Sequence, residues 1–195
     1  GPGNETSMDR NHQQLADSTL GVIGLGSIGS EIVSYGKRLG MRTLAVDPYA
    51  SATDDTDEFG DMQFLHKLLQ ESDFVVVAAP HTPETEGFFN SSCFEQMKSS
   101  AYFINIGRGV IVPLDDLVSA LETEQIAGAA LDVYEIEPLP AEHPLWGFPN
   151  VILTPHIAAC TPRVPERHLE VLLENIERFA NDSSLLNVVN KTLWF

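Results

Sequence analysis

The sequence predicts an α/β fold in which helices cover both faces of a doubly wound parallel sheet. Apolar, strand-like runs alternate with segments of helical periodicity from Leu20 to His156. The run at 73–80 (DFVVVAAP) is continuously apolar and β-branched, which is typical of a strand buried on both faces. A turn with three glycines, at 21–30 (GVIGLGSIGS), joins the first strand to the first helix.

Each predicted element has its own local signal. Gly40 suits the left-handed position just past the first helix, and Pro113, Asp115 and Asp116 suit the N-terminus of a later one. The acidic segment 51–61 is expected to be a solvated loop. The predicted strands are 19–24, 41–47, 73–80, 101–107, 128–134 and 150–156, and the helices between them are 27–40, 63–73, 91–100 and 113–125.

A different pattern follows His156. Residues 163–181 have the periodicity of a long amphipathic helix, and an apolar stretch, 185–195, ends the sequence. An apolar tail needs a surface to pack on, and its exposure favours self-association. The apolar face of this helix is formed by Leu169, Leu172, Leu173, Ile176 and Phe179.

Composition narrows the class of protein. The chain has 195 residues with 43% hydrophobic side chains, and its 28 acidic against 11 basic residues give a formal net charge of -17. Such a surface repels a phosphate backbone, so nucleic acid is not an expected partner. Cys93 and Cys160 are too few for a disulfide framework, and we expect reduced thiols in the cytoplasm. No membrane-spanning run or secretory signal is expected.

The glycine turn has the context of a dinucleotide-binding site. It follows a strand and opens a helix, and Asp47 stands at the end of the next strand, 18 residues after Gly29. Gly24 would make the tight turn, Gly26 would admit a pyrophosphate, and Gly29 would let helix and strand pack closely. Asp47 would accept hydrogen bonds from ribose hydroxyls and repel a 2′-phosphate, which favours NAD over NADP. This predicts a Rossmann-type domain; the alternative is a purely structural glycine turn.

Four further polar patches follow predicted strands, at the sheet edge where such folds bind ligands. They are 79–89, 104–112 with Arg108, 130–140 with Asp132 and Glu137, and 150–159 with His156. Taken singly, an arginine, a glutamate or a histidine on a loop is more often structural or merely solvated. No cluster of His, Cys and acidic residues has the spacing of a metal site, so no metal is expected.

These segments together resemble the D-isomer-specific 2-hydroxyacid dehydrogenase family, which includes glyoxylate/hydroxypyruvate reductases. The matching segments run from Leu20 to Ala159 and are GVIGLGSIGSEI, DPY, PHTPET, NIGRG, ALDVYEIEPLP, HPLW and NVILTPHIA. The resemblance implies hydride transfer between NAD(H) and a small D-2-hydroxyacid or 2-oxoacid. It also implies a homodimer formed through the cofactor domain.

The resemblance also implies a catalytic set of Arg108, Glu137 and His156. An arginine can grip and polarise an oxoacid, a histidine can exchange the hydroxyl proton, and a glutamate can orient the imidazole. Asp132 resembles the family's acid near the nicotinamide. The residues expected at the cofactor are Gly24, Gly26, Ser27, Ile28, Gly29, Asp47, Pro48, Pro80, His81, Thr85, Ile106, Gly107, Arg108, Asp132, His156 and Ala158.

One difference from the family concerns the substrate domain, most of which precedes the cofactor domain in full-length members. We expect 1–10 to be a disordered, tag-like lead-in, 11–161 to be the NAD-binding domain, and 162–195 to return toward an absent substrate domain. We therefore expect NADH binding with little turnover. The alternative is an NAD(H)-sensing regulatory or scaffold protein on the same fold, without turnover.

Overall fold

Seven parallel strands form one sheet with the order β3-β2-β1-β4-β5-β6-β7. The structure is a computed structural model that describes residues 13–194, so the predicted lead-in at 1–10 lies outside the described residues. The strands are β1 (Thr19–Ile23), β2 (Arg42–Val46), β3 (Glu58–Gly60), β4 (Phe74–Val77), β5 (Tyr102–Asn105), β6 (Gly128–Leu131) and β7 (Val151–Leu153).

Helices cover both faces of this sheet. Successive side chains of its central strands point to opposite sides, so each face has its own buried cluster. Val75 and Val77 of β4 belong to one buried cluster, and Val76 between them belongs to another. The predicted doubly wound α/β fold is therefore confirmed. The helices are α1 (Ser27–Arg38), α2 (Leu65–Glu71), α3 (Ser91–Phe94), α4 (Leu114–Glu122) and α5 (Val164–Ala180), with 3₁₀ turns at Leu15–Asp17, Met62–Phe64, Gly109–Ile111 and Pro144–Gly147.

The acidic segment differs from its prediction as a wholly solvated loop, because its last residues form the edge strand β3 beside β2. Its carboxylates are held by basic side chains. Asp57 pairs with Lys37, and Glu58 pairs with Arg42 and Lys67. Asp57 also accepts a hydrogen bond from the backbone N–H of Thr43 at 2.9 Å. The strand itself is defined by its parallel pairing with β2, and local patterning reveals neither that pairing nor these ion pairs.

The predicted C-terminal helix is present as α5, but none of its residues is buried. Its apolar face is exposed, up to 76% at Phe179. The tail folds back on the helix, where Asn175 exchanges two hydrogen bonds with the backbone of Leu186. Farther on, the Trp194 ring lies 6.2 Å from the His81 ring, between centroids. Among the described residues, no helix is both long enough and apolar enough to cross a membrane.

The anchoring of β3 makes a prediction about acid stability. The hydrogen bonds from Lys37 and from Thr43 lower the pKa of Asp57. A lowered folded-state pKa stabilises the fold above the unfolded-state pKa of about 3.9, and that contribution is lost as the pH falls through the folded-state value. We expect Asp57→Asn to reduce the free energy of unfolding by about 1 kcal/mol at neutral pH.

Urea unfolding at a series of pH values measures this effect. The difference between Asp57→Asn and wild type should shrink as the solution is acidified below about pH 4. The exposed Asp54 of the same segment supplies a matched control, Asp54→Asn, which should have little effect at any pH. A difference that persisted unchanged at low pH would contradict the electrostatic explanation.

Candidate active site

The glycine turn lies at the carboxyl end of β1, in the middle of the sheet. Strand β1 pairs with β2 on one side and with β4 on the other, all in parallel. The connection that leaves β1 runs to β2 and the one that leaves β4 runs to β5, toward opposite halves of the sheet, which opens a crevice between the carboxyl ends of β1 and β4. Residues 24–26 lie at this point and lead into α1.

Two of the three glycines cannot carry a side chain for reasons of geometry, and the third lies beside open space. Gly24 has φ +93°, a left-handed conformation, and a Cβ there would lie 2.7 Å from the Ala79 backbone. A Cβ on Gly29 would lie 1.9 Å from the carbonyl oxygen of Gly24, so α1 can approach the turn only at a glycine. A Cβ on Gly26 would meet nothing within 4 Å. The backbone is therefore open at Gly26, on the side that a ligand would approach.

A groove of about 340 Å³ runs past this turn. Asp47 stands in its wall, where one carboxylate oxygen accepts from Leu25 N–H at 2.7 Å. The other oxygen accepts from Tyr49 N–H at 2.7 Å and Ala50 N–H at 2.9 Å. The lining residues are Ile23, Gly24, Gly26, Val46, Asp47, Pro48, Tyr49, Met62, Ala78, Ala79, Pro80, Thr82, Glu84, Thr85 and Phe88.

The groove contains six of the residues expected at the cofactor: Gly24, Gly26, Asp47, Pro48, Pro80 and Thr85. The Thr85 hydroxyl donates to the Pro80 carbonyl at 2.8 Å, which fixes the loop after β4. Ser27 and Ile28 form the exposed first turn of α1. His81 lies nearby, 3.5 Å from the Glu86 carboxylate. Tyr49, Met62 and Glu84 also line the groove and were not among the residues expected at the cofactor, although Tyr49 and Glu84 lie in the matching segments DPY and PHTPET.

The loop that carries Arg108 is organised by Asn105, which is 1% exposed. The Asn105 side chain accepts from Gly107 N–H at 3.0 Å and donates to the Arg108 carbonyl at 3.2 Å. The Arg108 guanidinium is exposed and donates to the Gly107 carbonyl at 2.7 Å. A Cβ on Gly109 would lie 1.8 Å from the Tyr134 carbonyl carbon, so this loop crosses directly against the one after β6. Ile106 and Gly107 belong to the same loop.

Glu137 and His156 form a hydrogen-bonded pair. The distance between Glu137 Oε2 and His156 Nδ1 is 2.7 Å, and Glu137 Oε1 accepts from Tyr134 N–H at 3.0 Å. The hydrogen bond with His156 is the main reason that the pKa of Glu137 is lowered. His156 has φ +53°, an uncommon left-handed conformation for a residue with a side chain. Its imidazole is 48% exposed.

Asp132 holds the loop on which His156 lies. It is 6% exposed and accepts three hydrogen bonds, from Thr154 Oγ1 at 2.6 Å, Ile157 N–H at 3.0 Å and Ala158 N–H at 3.0 Å. Burial alone raises the pKa of Asp132, but these hydrogen bonds together outweigh it and the pKa is lowered. The carboxylate is therefore charged at neutral pH; it fixes the backbone just after His156 and holds the Thr154 side chain just before it.

A second cavity, of about 420 Å³, lies beside the Glu137–His156 pair. Its lining is mainly apolar and aromatic and includes Leu139 and Trp146. The two cavities lie at the same edge of the sheet, because all seven strands are parallel. Within residues 13–194, no group of three or more His, Cys, Asp or Glu side chains could hold a metal ion.

The glycine geometry makes a prediction that separates folding from binding. We expect Gly29→Ala to reduce the free energy of unfolding by about 1–3 kcal/mol, because its Cβ would overlap a backbone oxygen. We expect Gly26→Ala to fold normally, since its Cβ would meet only open space, but to bind NADH more weakly because the methyl group intrudes on the ligand side. Thermal unfolding and an NADH titration measure the two effects. Equal stability losses in both variants would contradict this division.

Comparisons with known proteins agree with this geometry. Residues 3–158 match the model of the D-isomer specific 2-hydroxyacid dehydrogenase NAD binding domain. A glyoxylate reductase of Aeropyrum pernix is 38% identical over 178 residues, which make up 91% of this chain and 53% of that protein. The chain spans about half the length of the curated relatives it matches.

Solved structures show the same fold. A D-isomer specific 2-hydroxyacid dehydrogenase from Xanthobacter autotrophicus Py2, in complex with NADPH and MES, matches with a TM-score of 0.88 and 34% identity, over 94% of this chain and 75% of that one. D-lactate dehydrogenase from Lactobacillus jensenii, with NAD⁺, matches with a TM-score of 0.81 and 28% identity, over 96% of this chain and 59% of that one. The chain thus belongs to the D-isomer-specific 2-hydroxyacid dehydrogenase family, of which it carries the NAD-binding domain.

Proposed function

We propose that this chain is the cofactor-binding and catalytic domain of an oxidoreductase that transfers hydride between NAD(H) and a small D-2-hydroxyacid or 2-oxoacid, such as glyoxylate or hydroxypyruvate. The observation that carries this proposal is the Glu137–His156 hydrogen bond of 2.7 Å. It places an oriented proton donor and acceptor at the same sheet edge as the glycine-lined groove. Names of relatives such as glyoxylate reductase support this substrate class.

The groove fits a dinucleotide. The open backbone at Gly26 and the N-terminus of α1 would receive the pyrophosphate, and Asp47 would face a ribose. When bound, NAD(H) supplies the hydride acceptor or donor. The further residues that we propose at the cofactor lie on the loops after β4, β5, β6 and β7: His81, Thr85, Ile106, Gly107, Arg108, Asp132, His156 and Ala158.

The three catalytic residues have distinct roles in this proposal. Arg108 offers a planar set of N–H donors that can hold a carboxylate and polarise the adjacent carbonyl. His156 gives its proton to the carbonyl oxygen during reduction and takes it back during oxidation. Glu137 holds Nδ1, which leaves the other imidazole nitrogen to face substrate, and its negative charge stabilises the protonated ring.

We propose NAD rather than NADP as the cofactor because Asp47 carries a negative charge in the ribose wall of the groove. One similar structure contains NADPH and another contains NAD⁺, so the family accommodates both. The preference of this chain for NAD over NADP therefore depends on its own residues in the groove. Glu84, which lines the same groove, adds a second acidic side chain against a 2′-phosphate.

We further propose that residues 11–161 form the NAD-binding domain and that 162–195 pack on parts of a longer protein. On this basis we expect these residues to bind NADH but to turn over slowly, because the matched part covers only 53% of a relative such as the Aeropyrum pernix glyoxylate reductase. The exposed apolar face of α5 and the resemblance to dimeric enzymes support a homodimer. Both cysteines are free thiols, which is consistent with a reducing, cytoplasmic location.

Exchange of Asp47 tests the proposed cofactor preference. Asp47→Asn keeps one oxygen for the backbone amides of the turn and removes the charge. We expect the ratio of NADPH to NADH affinity to rise by about tenfold, since hydrogen bonds to a charged group are worth about 1.5–3 kcal/mol. Fluorescence energy transfer from Trp146 and Trp194 to the reduced nicotinamide measures both affinities. Asp47→Ala is the harsher variant, and an unchanged ratio in both would refute the role of Asp47.

Exchange of Glu137 tests the proposed chemistry. We expect Glu137→Gln to lower the rate of NADH oxidation by hydroxypyruvate by about 10²-fold or more, because the imidazole loses its orienting charge. NADH affinity should change little, since Glu137 does not line the groove. Single-turnover measurements at high protein concentration suit a slow enzyme, and the exposed Glu142→Gln serves as control. An NADH-dependent shift in dimerisation of wild type, without any oxidation, would favour a sensing role instead.

A further inference from the structure

Tyr134 is hydrogen-bonded to Glu137 through its backbone and to the loop that carries His156 through its hydroxyl. It follows β6, is 6% exposed, and its ring belongs to the main apolar cluster. Its hydroxyl lies 2.9 Å from the Thr154 carbonyl oxygen and 3.2 Å from the Leu131 carbonyl oxygen. Because both neighbours are carbonyls, the hydroxyl must donate. A phenylalanine would fill the same apolar space, so packing alone does not require this hydroxyl.

The hydroxyl of Tyr134 keeps its proton over the working pH range. Burial, followed by the negative charge of Asp132, raises the pKa of Tyr134. The donor therefore persists at neutral and mildly alkaline pH. A buried hydroxyl without a partner would be unfavourable, and the two carbonyls satisfy it.

The Thr154 carbonyl accepts the hydrogen bond that links Tyr134 to the loop carrying His156. It receives the Tyr134 hydroxyl at 2.9 Å and also the backbone N–H of His156 at 3.0 Å. The Thr154 hydroxyl in turn donates to Asp132 at 2.6 Å. Tyr134 is thus connected, through one carbonyl oxygen, to the residue whose left-handed backbone places the imidazole.

The backbone of Tyr134 serves the other partner. Its N–H donates to Glu137 Oε1 at 3.0 Å, while Glu137 Oε2 faces His156. A single residue therefore holds the carboxylate through its main chain and the histidine loop through its side chain. We propose that Tyr134 is a positioning residue that keeps Glu137 and His156 in register by bracing the loop after β6 against the loop after β7.

The role of this brace in proton transfer rests on the proposed function. Its role in aligning Glu137 with His156 does not. The pair is half exposed, with side-chain exposures of 36% for Glu137 and 48% for His156. A solvent-exposed ion pair loses much of its attraction to screening and side-chain freedom. Alignment of such a pair therefore depends on what holds the two backbones, which is the contribution assigned to Tyr134.

Tyr134→Phe tests the brace, because it removes only the hydroxyl. NMR of the full chain without cofactor reports the proton between His156 Nδ1 and Glu137, and a pH titration of the Glu137 carboxyl carbon reports its pKa. We expect Tyr134→Phe to broaden or abolish the proton signal and to raise the pKa of Glu137 toward its ordinary value. Tyr102→Phe is the matched control, since Tyr102 stacks on Phe74 at the opposite end of the strands and should leave both readouts unchanged.

A second measurement uses the wild-type chain and does not depend on a variant folding. The Tyr134 hydroxyl proton should give a slowly exchanging resonance with a cross-peak to the Thr154–His156 segment. A Tyr134→Phe chain that is folded and keeps both the Nδ1 proton signal and the Glu137 titration of wild type would overturn the proposal. A rapidly exchanging hydroxyl in wild type would overturn it equally.

Turnover separates this proposal from the proposed function. If wild type oxidises NADH with hydroxypyruvate, Tyr134→Phe should lower kcat and leave the KM for NADH nearly unchanged. A shift in KM alone would count against the brace. If wild type neither binds nor oxidises NADH, the proposed function fails, while the cofactor-free NMR readouts still decide whether Tyr134 aligns the pair.

Discussion

The parallel direction of all seven strands is the constraint on which the rest of this structure depends. It brings the carboxyl ends of the strands to one edge, so that loops far apart in the sequence become neighbours. The glycine turn follows β1 and Asp47 follows β2, while His156 follows β7 at the far end of the sheet. The glycine-lined groove and the Glu137–His156 pair thus lie at one edge of the sheet although they are far apart in the sequence.

Because the chain is strongly acidic, the hydrogen-bond partners of its carboxylates are a second constraint on the site. In a protein of net charge -17, three of the acids at the site each have their own hydrogen-bond donors. Asp47 holds three backbone amides, and Asp132 holds Thr154 and two backbone amides. Glu137 holds the Tyr134 amide and His156. At Asp132, where they outweigh burial, and at Glu137, the hydrogen bonds lower the pKa of the carboxyl group, and at all three acids they fix the loops.

Prediction from sequence succeeded where the signal is local. The continuous apolar run of β4 and the strand–glycine–helix order around Gly24 describe their structures without reference to distant residues. The short strand β3 was missed because it has three residues and is defined by its pairing with β2, and the basic partners of Asp57 and Glu58 lie on three other elements. Asn105 was likewise missed, since a lone asparagine after an apolar run does not reveal that it organises the Arg108 loop.

The sequence by itself determined the alternation of strands and helices, the glycine positions and the identity of the chemical groups, because these depend on short-range periodicity and on residue type. Only the tertiary structure decided that Glu137 meets His156, that Asp132 is occupied by the loop after β7, and that Tyr134 links the two. Such contacts join loops after different strands, and their geometry depends on strand order and crossing backbones. Strand order and backbone crossings depend on the packing of the whole sheet, and no single stretch of sequence specifies that packing.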